Sequence, residues 1–247
     1  MHQFYRNRLV RCYLGASRGV RASDERQADP FTNLDARDDF PLAELRLKKE
    51  SGYLGPVPLV NTALNLSNPN QGQQERRAAS FVLSPYDCGY FPDGGRGEAF
   101  RTTEEYVKED GGISLGQAFT ISGAAASPNM GFHSSAPLAF LMTVFNVRLG
   151  WWLPNPTRDR WRSYGPRLGL GQLVAELLAL ADDKSDFVYV SDGGHFENLG
   201  LYELLRRSCR YIICCDGEED KNFEFGSLGG LIRKAREDFG AEIEMST

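Results

Sequence analysis

Asp192 has the neighbours that a working carboxylate needs. It closes the run Phe187-Val188-Tyr189-Val190-Ser191-Asp192 and is followed at once by Gly193-Gly194. The β-branched and aromatic residues from Phe187 to Val190 predict a buried strand. The two glycines allow a sharp turn and leave room for a substrate close to the carboxylate. A carboxylate at the C-terminal end of a strand lies where open α/β sheets place their active crevice, and there it can take a proton from an attacking hydroxyl. The simpler reading is an aspartate that only caps the next turn. Two further Asp-Gly-Gly triplets, Asp93-Gly94-Gly95 and Asp110-Gly111-Gly112, lack a buried strand before them and are expected to be plain turns.

The elements around Asp192 extend the pattern. Leu199, Leu201, Leu204 and Leu205 resume an apolar periodicity, and Tyr211 to Cys215 predicts a second strand ending on Asp216. The segment Ser191-Asp192-Gly193-Gly194-His195-Phe196-Glu197-Asn198-Leu199-Gly200-Leu201-Tyr202-Glu203-Leu204-Leu205 resembles the aspartate segment of patatin-like phospholipases. It is also similar to the matching segments of cytosolic phospholipases and fungal lysophospholipases. A second block, Ile121-Ser122-Gly123-Ala124-Ala125-Ala126-Ser127-Pro128-Asn129-Met130-Gly131, looks like the small-residue helix end and proline turn that precede that aspartate. Residues 61–66 and 145–153 resemble a bacterial branch of the same proteins, and the likeness covers roughly residues 55–245.

The resemblance implies an α/β fold: a mostly parallel central sheet flanked by helices, of patatin-like acyl hydrolase architecture and incomplete at its N-terminus. It also implies a serine–aspartate dyad acting on a phospholipid or other lipid ester. The serine attacks the ester carbonyl, and the aspartate takes its proton without an intervening histidine. On that reading Asp192 is the base, Gly193 and Gly194 set its turn, and Asn198 supports the loop through its side-chain amide. His195 is read as a structural turn residue. Neither a cofactor nor a metal is implied.

The nucleophile is harder to find. One Gly-x-Ser-x-Gly match is Gly15-Ala16-Ser17-Arg18-Gly19, with Leu9 to Leu14 as a possible strand before it. Arg8 and Arg11 suit an exposed ribbon better than the centre of a parallel sheet. Residues 21–27 offer no apolar stripe for the helix that such an elbow packs on its sheet. Ser17 therefore stands open as nucleophile or chance match, and the favoured expectation puts the true elbow before Met1. The chain would then be the C-terminal part of a larger patatin-like protein or a degenerate copy. The alternative function is a catalytically inactive fragment or lipid-binding scaffold of the same fold.

Other segments fill in the architecture. Residues 1–50 read as an N-terminal segment and linker, and 51–247 as the C-terminal part of a patatin-like catalytic domain. Pro41 to Lys49 predicts a short amphipathic helix; Leu59 to Leu66 and Ala78 to Leu83 predict strands. Residues 86–112 read as a polar, glycine-rich insertion with little core-forming power. Ser114 caps a helix that runs toward Ala126 and stops before Pro128. Residues 136–153 are the most apolar stretch, but Pro137, Asn146 and Arg148 argue against a membrane span. A core helix is favoured there over a lipid contact by Phe145, Trp151 and Trp152. Gly171 to Ala181 and Ser227 to Phe239 predict amphipathic helices.

With 41% apolar residues, the 247-residue chain can bury a substantial core. A net charge of −5 argues against general nucleic-acid binding and provides no polybasic membrane patch. The odd set Cys12, Cys88, Cys209, Cys214 and Cys215 suits reduced, buried thiols better than a disulfide framework. The acidic run Glu218-Glu219-Asp220 reads as solvent-exposed. Residues 2–8 contain no apolar signal region. The expected location is cytoplasmic or peripheral at a membrane surface, with sequence further upstream as the place for any membrane anchor of a parent protein.

Overall fold

The computed structural model describes residues 1–20, 26–47, 54–66, 78–92, 99–125, 149–163 and 183–245. The Asp93 triplet, residues 126–148 (including Phe145) and the predicted helix at 171–181 lie outside these described residues. Four helices and six strands organise the rest, beginning with α1 (His2–Leu9), β1 (Val60–Asn65), β2 (Ala78–Leu83), β3 (Asp87–Tyr90) and β4 (Ala99–Thr102). They continue with α2 (Leu115–Ser122), β5 (Trp151–Pro154), β6 (Phe187–Asp192), α3 (Tyr202–Arg206) and α4 (Gly226–Phe239).

The six strands form one sheet in the order β4-β3-β2-β1-β6-β5, and every neighbouring pair is antiparallel. This corrects the expected mostly parallel sheet flanked by helices. The cause of the misreading is visible in β6, where Phe187 to Ser191 are all buried. Val188 and Val190 belong to the main core with Leu64, Phe81, Leu83 and Ile121, while Tyr189 and Ser191 are covered from the opposite face. Burial on both faces gives the unbroken apolar run usual in parallel sheets, yet here it arises from a strand central to an antiparallel one. The β2–β3 pair is antiparallel by construction, because a connection as short as Ser84-Pro85-Tyr86 can only reverse the chain.

That hairpin also revises residues 86–112. Cys88, Tyr90, Ala99, Tyr106 and Val107 are buried, so this segment supplies two strands and part of the core. Tyr106 donates its hydroxyl hydrogen to the Pro154 carbonyl, tying the segment to β5. Lys108–Asp110 forms a 3₁₀ turn, and Gly111 and Gly112 follow with φ of 88° and 81°, so the Asp110 triplet is the expected plain turn.

The predicted strand at Leu9–Leu14 is helical. α1 runs directly into a π-helical turn, Val10–Leu14, and then a 3₁₀ segment, Gly15–Val20. α1 lies against α2, and Arg6 pairs with Asp39, whose carboxylate also accepts the Ser114 hydroxyl. Among the described residues of the predicted helix at 41–49 the structure has the 3₁₀ turn Leu42–Leu45, anchored by the fully buried Leu42. Ser114 caps α2 as expected, accepting the Gln117 N–H at 3.1 Å, and α2 ends at Ser122.

Trp151 and Trp152 lie in β5 rather than a core helix. Trp151 packs beside His2, with ring centroids 4.4 Å apart, and Trp152 meets Tyr189 edge-on at 5.3 Å. No helix among the described residues is long and apolar enough to cross a membrane. All five cysteines are free, but only Cys88 is buried, which corrects the expectation of buried thiols. Tyr211–Cys215 forms no strand. Tyr211, Ile213, Cys214 and Cys215 are exposed, and Ile212 is half-buried.

Candidate functional site

β6 pairs with β1 on one side and β5 on the other, so Asp192 ends an interior strand opposite Thr62. Successive side chains point to opposite faces, which separates buried Ser191 from half-buried Asp192. Asp192 caps the 3₁₀ turn Gly193–His195: its Oδ1 accepts the Gly194 N–H at 2.8 Å. Among the described residues no cation is paired with this carboxylate, and Oδ2 makes no further bond.

The turn depends on its glycines unequally. A Cβ at Gly193 would lie 2.6 Å from the Asn61 carbonyl oxygen, a backbone atom of β1. At Gly194 it would lie 2.7 Å from Asn198 Oδ1, the tip of an exposed side chain. Asn198 thus rests over the turn, and the firmer anchor is Glu197, which sequence reasoning missed. The buried Glu197 carboxylate accepts the N–H groups of Leu199 and Tyr202, holding the loop against the start of α3.

Behind the turn is a buried polar chain. Asn65 donates from Nδ2 to Ser191 Oγ at 2.8 Å, and Ser191 Oγ lies 2.9 Å from His195 Nδ1. His195 is therefore tied to the strand through Ser191 on the face away from Asp192, as suits a structural turn residue. Farther along the helix, buried Glu203 accepts from Arg206 and from the Ser80 hydroxyl, fixing α3 to β2.

Ser122, also missed, is a second serine brought to this turn, beside Ser191. Its hydroxyl donates to the Asn61 carbonyl at 2.8 Å, the same oxygen that Gly193 abuts. Its position follows from α2 packing on β1 and β6. Ser17 lies in the 3₁₀ segment, preceded by helix, so its Gly-x-Ser-x-Gly match does not form a strand-to-helix elbow.

Beside Gly194 opens a cavity of about 390 Å³, within the usual range for small-ligand sites. Phe196 and Leu231 give it an apolar side; Glu218, Glu219, Asp220 and Glu224 make its rim acidic. Glu218 and Glu219 are exposed, as expected for that run, and Asp220 accepts the N–H groups of Glu224 and Phe225. Those two bonds, Phe225 first, hold its carboxyl below the usual range. Among the described residues no cluster of side chains is arranged to hold a metal ion. Comparison with protein-family models, curated proteins and solved structures finds no match to this chain.

Proposed function

We propose that this chain serves carboxylic-ester hydrolysis on a lipid substrate, with Asp192 as the proton-accepting carboxylate. One observation carries the reading: Asp192 closes an interior strand, one oxygen is fixed by the Gly194 N–H, and no described cation neutralises the other. A carboxylate held in that way is oriented yet keeps lone pairs to accept a hydroxyl proton. The reading needs a serine within reach, and Ser122 beside the Asn61 carbonyl is one described candidate, with Ser17, in a Gly-x-Ser-x-Gly match, as another. The resemblance to patatin-like phospholipases supports the substrate class. The acidic rim beside Gly194 disfavours a phosphate in that cavity, so the acyl portion or an uncharged or cationic head group suits it better.

The test is covalent labelling by a fluorophosphonate probe together with hydrolysis of a short-chain nitrophenyl ester. Labelling that disappears in Ser122→Ala or in Ser17→Ala identifies the nucleophile. A folded wild-type chain that neither labels nor hydrolyses ester overturns the reading.

A second reading is a non-catalytic lipid-binding scaffold. It is favoured by the Ser122 hydroxyl, which bonds a carbonyl rather than Asp192, and by the helical setting of Ser17. Binding to phosphatidylcholine vesicles without ester turnover separates it from the first.

A further inference from the structure

The chain leaves α3 through Ser208, which has a φ of 53°, and then runs Arg210-Tyr211-Ile212-Ile213-Cys214-Cys215-Asp216 along the outside of the molecule. Tyr211 is 84% and Ile213 91% exposed, and Cys214 and Cys215 are exposed as well. Among the described residues the backbone of 211–215 makes no hydrogen bond. β-branched and aromatic residues with unpaired N–H and C=O groups form a template for another strand. The sheet interior has no place for it, because β6 is already paired on both sides.

The charges at its two ends indicate what covers it. Arg210 precedes the apolar run and Asp216 follows it; among the described residues neither joins an ion pair, and Arg210 only overlies the Tyr211 ring at 5.5 Å. We propose that Tyr211–Cys215 is a self-association strand, paired antiparallel with the same segment of a second copy about a two-fold axis at Ile213. In that register Ile213 faces Ile213, Ile212 faces Cys214, and Tyr211 faces Cys215. Arg210 of each copy faces Asp216 of the other, so the symmetry makes the opposite-charge pair twice. A parallel pairing would instead set arginine against arginine and aspartate against aspartate. The arrangement is β-strand addition with a copy of the chain as the added strand.

Analytical ultracentrifugation of the full chain under reducing conditions tests this, with far-UV circular dichroism as the control for folding. The wild type is expected to dimerise with concentration. Ile213→Asp and Arg210→Asp are each expected to weaken the dimer by at least about tenfold, and Arg210→Asp combined with Asp216→Arg to restore it. Register is read by Ile213→Cys with Cys214→Ser and Cys215→Ser. Opposed antiparallel residues have Cα atoms about 4.5–5.5 Å apart, inside disulfide range, so mild oxidation is expected to link two copies. A wild type still monomeric at about 1 mM overturns the proposal. So does a dimer that survives the Arg210→Asp change and fails to cross-link through position 213.

Discussion

Ser191 Oγ and His195 Nδ1 lie 2.9 Å apart, joining the last buried residue of β6 to the turn that begins at Asp192. Ser191 also receives the Asn65 amide, so removing its hydroxyl leaves that buried donor only the longer bonds to the Ala63 and Tyr189 carbonyls, at 3.3 and 3.4 Å. Ser191→Ala is expected to cost roughly 1–3 kcal/mol of folding stability. The urea-unfolding midpoint measures it, and an unchanged midpoint would show that the chain of bonds contributes nothing net.

Adjacent glycines should respond differently to the same added methyl group. At Gly193 the obstacle is the Asn61 carbonyl, part of a paired strand that cannot withdraw without breaking its ladder. Gly193→Ala is expected to destabilise by roughly 1–3 kcal/mol. At Gly194 the obstacle is the free end of Asn198, which can swing into solvent, so Gly194→Ala is expected to cost less than about 1 kcal/mol. Equal thermal-unfolding shifts for the two variants would contradict this account.

Asp192→Asn separates chemistry from turn capping. The amide oxygen still accepts the Gly194 N–H, so stability should hardly change. Loss of the proton-accepting charge should lower ester turnover by roughly 10²–10⁴-fold if Asp192 is a base. Full activity in this variant would leave Asp192 with capping alone.

His2 gives the molecule a pH dependence. Burial pushes its imidazole down to about 4; the Leu149 carbonyl works in the opposite direction, and the charge of Arg6 lowers it further. The unfolded chain takes up this proton near the ordinary value of 6.5, whereas the folded chain resists until about 4. In that window the unfolded state binds more protons, so the contribution is present above about 6.5 and is lost as pH falls to about 4. The loss amounts to at most about 3 kcal/mol. Stability of His2→Leu, measured by urea titration at pH 7 and pH 4.5, should fall less with acid than that of the wild type; parallel losses would exclude His2 as the source.

The sequence was most legible where one element met one simple pattern. Val60–Asn65, Ala78–Leu83 and Phe187–Asp192 stand as strands, Ser114 caps its helix, and the last helix begins and ends close to expectation. Sheet direction was not legible, because an interior strand buried on both faces looks the same in either kind of sheet. Residues 86–112 were underestimated since Cys88, Tyr90, Tyr106 and Val107 are spaced among polar residues and glycines, and only the hairpin gathers them. Tyr211–Cys215 shows the reverse error: its composition favours a strand, but within the described chain it has no strand to pair with. Around Asp192, the glycines could be read directly. The Asn61 carbonyl that makes Gly193 necessary, and that brings Ser122 near, belongs to contacts between distant segments.

The bond from Asn65 to Ser191 spans 126 residues, and the β1–β6 ladder carries that span up to the Asp192 turn. Closing so long a loop comes before any reward from the contacts it creates, which makes this pairing a slow event in folding. A nascent chain interrupted before β6 would hold β1 to β4 as a meander whose β1 edge is uncovered as well as β4, and would be prone to aggregate at β1. The carboxylate turn is consequently a product of late assembly, available only once β6 has been made and has paired with β1.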